Sequence, residues 1–200
     1  DLRHDYHLYH EYKLGNGLQL YHIFDRKNQN VAFFADLTTP DELFYPEERL
    51  INPDTTLMRQ DFAEWRNEFG FKGSYKGFYY NVFGKIRNGR MINTTVDNSR
   101  NSFNEVYLGG ELIGKISEKW SVSADGEYLI PGNYRIRGLF ISPWLDVEYT
   151  KSLYKPNAIQ NQFSGIHFEW DNDFVNSGMD KVKGTVNLDI ADILIRPSLT

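Results

Sequence analysis

The 200-residue chain has no cysteine. It is therefore not a disulfide scaffold, and the absence suits an oxidising envelope compartment as well as a cytosolic one. No run approaches the roughly eighteen apolar residues of a spanning helix, which excludes a helical membrane protein. There is no cationic excess: 22 Lys and Arg stand against 27 Asp and Glu, a net charge of -5, with the basic residues scattered. That excludes the basic stripe nucleic acid requires, so no nucleic-acid partner is expected. The first residue is Asp1, with no charged-then-apolar leader after it. Any signal peptide lies outside these residues, and its absence says nothing about export.

What the chain does have is aromatic residues, 16% of the total, and a strict period of two. The pattern is clearest from Phe103 to Leu129. Val106, Leu108, Gly110, Leu112, Gly114 and Ile116 alternate with Glu105, Tyr107, Gly109, Glu111 and Lys115. After a turn at Ser117-Glu118-Lys119, Trp120, Val122, Ala124, Gly126 and Tyr128 alternate with Ser121, Ser123, Asp125 and Glu127. Side chains alternate sides along a strand, so each arm has one apolar and one polar face. The arms exceed the usual length of about 5–6 residues in soluble proteins and suit a tilted membrane crossing of roughly 9–11. A transmembrane β-hairpin is expected.

The same rule extends along the chain. Leu2, His4, Tyr6, Leu8, His10 and Tyr12 alternate with Arg3, Asp5, His7, Tyr9, Glu11 and Lys13, and Leu14-Gly15-Asn16-Gly17 supplies turn residues. Residues 18–25 return, and 31–36 form a short β-prone run. A long excursion follows, residues 37–61, with Pro40, Pro46 and Pro53. Ala63, Trp65, Phe69 and Phe71 then oppose Glu64, Arg66, Glu68 and Lys72. After a turn over 73–77, Phe78, Tyr80, Val82, Gly84 and Ile86 oppose Tyr79, Asn81, Phe83, Lys85 and Arg87, and a polar connection over 88–102 is expected. Further on, a loop over 130–137 is expected, then one strand with Leu139, Ile141, Leu145, Val147 and Tyr149 on one face and Ser142, Asp146 and Glu148 on the other, with a bulge or an end near Pro143. A turn at 154–157, a strand over 163–170, a loop over 171–180 and a last strand over 182–195 complete the expectation.

Short connections alternate with long ones, as in outer-membrane barrels with short periplasmic turns and long extracellular loops. Aromatic residues beside the short turns (Phe69, Phe71, Tyr75, Phe78, Tyr80, Trp120, Tyr149, Tyr154) fit an interfacial girdle. The segments come to roughly nine, whereas single-chain bacterial barrels have even strand numbers. The expected fold is therefore all-β: an antiparallel meander of long strands, residues 1–200 forming a segment of a larger transmembrane barrel whose open edges need covering.

Three stretches carry a resemblance to a known family: HEYKLGNGLQLYHIFDRKNQ (His10 to Gln29), WRNEFGFKG (Trp65 to Gly73) and FSGIHFEWDNDF (Phe163 to Phe174). They are similar to a porin family of Bacteroidota, outer-membrane β-barrels longer than this chain. The resemblance covers the whole chain through strand and turn patterns rather than catalytic signatures. It implies a passive or substrate-selective pore in the outer membrane and assigns no active residues.

Candidate chemistry is sparse. His4 and His10 share a face but lie roughly 20 Å apart along a strand, too far for one ion; His10 and His22 could meet across the first turn. Asp171, Asn172, Asp173, Asn176 and Asp180 lack calcium-loop spacing and read as turn residues. Ser164 and His167, three apart on one strand, would point to opposite faces and cannot form a catalytic pair. No cofactor, metal or catalytic residue is expected. The informative set is polar: Glu64, Arg66, Glu68, Lys85, Arg87, Glu105, Glu111, Lys115, Asp125 and Glu127 are expected to face a water-filled lumen. Trp65, Val82, Val106, Leu108, Leu112, Trp120, Val122, Leu145 and Val147 are expected to face lipid.

The partners expected are membrane lipid, small polar solutes and other outer-membrane proteins. The leading function is passive diffusion of small solutes. The alternatives are the barrel of a TonB-dependent transporter, a non-conducting outer-membrane scaffold, and a soluble all-β ligand-binding module in which Val106, Leu108 and Val122 would be core. A need for detergent separates the soluble module from the rest.

Overall fold

The structure, a computed structural model, describes residues 2–36, 55–93, 99–156, 158–164, 169–190 and 193–200. Its frame is an antiparallel meander. Eight long strands follow in order: β1 (Leu2–Gly15), β2 (Leu18–Asp36), β3 (Thr55–Tyr75), β4 (Phe78–Asn93), β5 (Ser99–Ser117), β6 (Trp120–Ile130), β7 (Asn133–Ile141) and β8 (Leu145–Tyr154). A one-turn helix α1 (Ala158–Asn161) and the small pair β9 (Gln162–Ser164) and β10 (Glu169–Asp171) intervene. The ninth long strand, β11 (Ser177–Val186), rejoins the sheet beside β8. A second small pair, β12 (Leu188–Ile190) and β13 (Ile193–Ile195), precedes β14 (Ser198–Leu199), which pairs with β11. The main sheet runs β1-β2-β3-β4-β5-β6-β7-β8-β11-β14, and among the described residues no ladder joins β14 to β1. No helix among the described residues is long and apolar enough to cross a membrane, which says nothing about strands.

Local chemistry explains the hairpins. Between β1 and β2, Gly15, Asn16 and Gly17 adopt φ of 94°, 51° and 78°; between β3 and β4, Lys76 and Gly77 adopt 46° and 84°. These left-handed values match the twist of two-residue hairpin turns, and Gly and Asn reach them at least cost. The registers are long and nearly unbroken: nineteen residue pairs join β2 to β3, from Leu18↔Gly73 to Asp36↔Thr55.

Several expectations are corrected. Residues 130–137 are not a loop: Pro131 and Gly132, the latter at φ 105°, make a two-residue turn between β6 and β7. That tight turn lies at the same end of the sheet as the long connections. The strand expected over 139–149 is a hairpin. Buried Ser142 closes it, its hydroxyl donating to the Leu145 carbonyl at 2.7 Å and accepting from the Leu145 amide at 3.0 Å. Leu139 and Ile141 therefore pair with Glu148 and Asp146 and share their face, opposite Leu145, Val147 and Tyr149. Residues 55–61, expected in the excursion, are strand, while 37–54 lie outside the described residues. The connection expected over 88–102 shrinks likewise, because β4 runs to Asn93 and β5 starts at Ser99. At the C-terminal end the crossing strand is 177–186, and 188–190 and 193–195 form the separate β12–β13 pair. Tyr154 stands at the long-connection end of β8, away from the short turns.

Burial across the sheet is the reverse of a water-soluble protein. Among the described residues the only buried hydrophobic side chain is Tyr21, whereas Leu108 and Leu112 are 56% and 58% exposed. Asp25 and Glu64, by contrast, are each only 8% exposed. The described residues form no apolar core. The polar side of the sheet is the packed side.

Candidate functional site

The ten charged residues expected to act together do share one face. Cross-strand pairing fixes this: Arg66 lies opposite Arg87, Glu68 opposite Lys85, Arg87 opposite Glu105, and Glu111 opposite Asp125, while Glu64, Glu127 and Lys115 continue the same rows. Within that face the charges compensate one another. The Arg87 guanidinium spans Glu64, at 2.5 and 2.7 Å, and Glu105 at 3.1 Å, and Glu105 also accepts from the Tyr107 hydroxyl at 2.6 Å. Lys85 pairs with Glu127. Arg66 pairs with Asp25, which His7 approaches at 2.6 Å. Asp125 accepts from Arg135 at 3.1 Å and Arg137 at 3.0 Å.

Several of these contacts skip a strand. Lys85 on β4 reaches Glu127 on β6, Lys72 on β3 reaches Glu11 on β1 at 2.9 Å, and the Tyr21 hydroxyl on β2 lies 3.0 Å from Asn81 on β4. Strands two apart are about 9.6 Å away in a flat sheet, so side chains meet across the middle strand most readily on a concave side. All three contacts are on the polar face. Aromatic rings fill the same side: Tyr21 lies over Gly70, where a Cβ would stand 2.5 Å from its ring, and the Phe83 ring covers Gly109 in the same way. Glycine is required at both positions because the partner ring occupies the space.

The nine residues expected on the opposite face are also together. Val82, Val106, Leu108, Leu112, Val122, Leu145 and Trp65 are each 39% exposed or more, and Trp120 and Val147 are half-buried. Trp120 packs edge-on to Phe140 and Trp144, with ring centroids 5.6 and 5.7 Å away, at the short-turn end. His10 and His22 do meet across their hairpin, but as a stack of rings 5.9 Å apart that continues to Phe69 at 4.1 Å. No group of three or more His, Cys, Asp or Glu among the described residues could hold a metal ion. Ser164 and His167 cannot be compared, since His167 lies outside the described residues.

The apolar face has an upper limit. Beyond Phe24, Trp65, Ile86 and Val106, the same face carries Arg26, Asn28 and Asn30 on β2, Asp61 and Arg59 on β3, Asn88 and Arg90 on β4, and Asn104 and Ser102 on β5. On β8 and β11 the limit comes sooner, at the Lys151–Asp180 pair (3.4 Å), with the Tyr149 hydroxyl donating to Asp180 at 2.6 Å.

Among the described residues the sheet thus presents a continuous apolar face with no core beneath it, opposite a face of paired charges. Residues 1–200 match the family described as Putative porin. The chain belongs to that family. No curated protein and no solved structure matches. Sequence reasoning missed Asp25, Arg135 and Arg137 on that face. The last two fell at the edge of an expected loop, and Asp25 sits two and four residues from Ile23 and Tyr21 on the face they share, so an extended period-two count along β2 would have found it.

Proposed function

We propose that the nine long strands form wall of an outer-membrane β-barrel through which small polar solutes diffuse passively, with no cofactor and no catalytic step. The observation that carries this reading is the inverted burial: paired charges on the crowded face and exposed Val, Leu, Ile and Phe on the other. Water on both sides would leave that apolar band without a reason, whereas lipid solvates it. Its height supports the assignment. From Val106 to Ile116, eleven residues cover about 34 Å along the strand, and a tilt of roughly 40° brings that to about 26 Å, close to the apolar band of roughly 25 Å in such barrels. Trp65, Tyr128 and Tyr134 near the upper limit and Trp120, Phe140 and Trp144 at the lower end stand where interfacial aromatic girdles belong. The polar face then lines the pore, its mixed charges setting a transverse field that orients and sorts solutes.

The test uses the full protein. Membranes washed with urea and extracted in detergent are run on a gel with and without boiling, and the purified protein is added to a planar bilayer. A urea-resistant band whose mobility changes on boiling, together with stepwise conductance, is expected. Release into plain buffer with a single mobility overturns the membrane reading. A heat-modifiable barrel with no conductance overturns the pore alone.

A further inference from the structure

The upper limit of the apolar face holds a groove of about 670 Å³ that the pore does not use. It runs over β2, β3 and β4, with Phe24 and Asn67 at its lower end, Trp65 above them, and Arg26, Asn28, Asn88 and Arg90 at its polar end. Arg26 lies opposite Trp65, and Arg90 lies opposite Ala63, so the two guanidiniums flank β3 from either side with the small Ala63 as floor between them. Both arginines are exposed, and among the described residues neither has an ion-pair partner. The carboxylates nearby are already engaged: Asp61 is held by Arg59 at 3.1 Å and by Asn30, and Glu64 by Arg87 on the other side of the sheet.

We infer that this groove binds the net-anionic, phosphomonoester-bearing headgroup of a membrane lipid, an inference that rests on the membrane reading above. Charge complementarity names the headgroup. Two exposed guanidiniums without an ion pair among the described residues, of which Arg90 lies within reach of the Asp61 charge, stand with two carboxamides beside them and offer N–H donors to phosphate oxygens, which arginine recognises through paired, charge-assisted hydrogen bonds. The position names the lipid. The groove opens at the line where the apolar band ends, the depth of a headgroup, and toward its lower end stand the exposed Trp65 indole and Phe24, surfaces for the first carbons of an acyl chain. A soluble anion would use the arginines but has no use for these apolar surfaces. Lys and Arg on the lipid side of a barrel are costly at mid-membrane and nearly free at its interface, so this is where unpaired cations are tolerated.

The experiment is native mass spectrometry of the full protein in mixed detergent micelles containing bisphosphorylated lipid A, with phosphatidylcholine micelles and inorganic phosphate as comparison arms. The same preparations are checked for heat-modifiable mobility. Wild type is expected to retain lipid A and not phosphatidylcholine. The R26Q/R90Q variant should bind lipid A about tenfold more weakly, as expected for losing charged hydrogen bonds. K119Q, at the turn of the opposite end, should bind as wild type does. Equal lipid A binding by R26Q/R90Q and wild type, with both heat-modifiable, overturns the groove and leaves the membrane reading standing. Displacement of lipid A by millimolar inorganic phosphate also overturns it, reassigning the arginines to a soluble anion. Loss of heat-modifiable mobility in the wild type itself overturns the membrane reading and this inference with it. If R26Q/R90Q alone fails to fold, W65A, which keeps both arginines, replaces it: it should retain lipid A more weakly than wild type, and unchanged retention overturns the groove.

Discussion

The two faces of this sheet use the same backbone and opposite chemistry. On one, Leu108 and Leu112 are more than half exposed and the ring contacts of Trp120 and Phe69 stand apart from them. On the other, Asp25 is tied to Arg66, and Arg87 to Glu64 and Glu105, so removing one member disturbs its neighbours. The contrast teaches that stability here has two sources. The exposed face is stabilised by solvent choice, the crowded face by mutual pairing, and substitutions should separate them.

The largest separation is expected from one charge placed on either side of the β5–β6 hairpin. Leu108→Arg puts a guanidinium on the apolar face near mid-band and should destabilise the membrane-inserted barrel by about 2–4 kcal/mol. Ser123→Arg, on the polar face opposite Ile113, should be tolerated. Urea titration of the protein folded in lipid vesicles measures both. Equal cost at the two positions would erase the distinction between faces.

Next comes the pairing itself. Glu64 is buried, and Arg87 is its ion-pair partner among the described residues. Arg87→Met strands that carboxylate and should cost about 1.5–3 kcal/mol in the same titration. The double change Arg87→Met with Glu64→Gln should recover much of the loss, because the uncompensated charge is gone. If the double variant is as weak as the single one, packing of the Arg87 stem, rather than pairing, holds this part of the face.

The hairpins and both sets of face-sharing residues were legible in the sequence because apolar and polar residues alternate sharply between Trp65 and Tyr128. Where that contrast fades, legibility fails, although the backbone ladder continues. Residues 26–36, 55–61, 88–93 and 99–102 are strand, yet Arg26, Asn28, Arg59, Asp61, Asn88 and Arg90 put polar groups on the outer face too. Two polar faces carry no period-two signal, so 26–30, 55–61, 88–93 and 99–102 read as connections and 31–36 as no more than a short β-prone run. The hairpin at Ser142-Pro143-Trp144 was hidden for another reason: the turn shifts the face by one, and Leu139 and Ile141 on the polar face look like a continuation of Leu145 and Val147. Asp25 was hidden only because its strand was read without assigning faces.

A smaller effect is expected where ring and backbone meet. Gly70→Ala would place a Cβ 2.5 Å from the Tyr21 ring. The ring must tilt away, and overpacking of this kind typically costs about 1–3 kcal/mol. Because the strain is between neighbours on the polar face, shortening Tyr21 to Leu in the Gly70→Ala background should relieve part of it. Additive losses in the two substitutions would show that they do not touch.

The smallest effect sharpens the comparison most, because it removes one atom from the crowded face and leaves its shape intact. The Tyr21 hydroxyl lies 3.0 Å from Asn81 and 3.2 Å from Glu68, and with one proton it donates to one of them at a time. Tyr21→Phe keeps the ring over Gly70 and loses only that bond, which should cost about 0.5–1.5 kcal/mol. On the apolar face the corresponding trim, Val106→Ala, removes methyls from a side chain that is 40% exposed, so on the proposed membrane reading it should cost little in barrel stability. If Tyr21→Phe proves neutral while Val106→Ala is costly, the crowded face is held by ring packing and solvation alone, and the bond across β3 is not part of what binds β2 to β4.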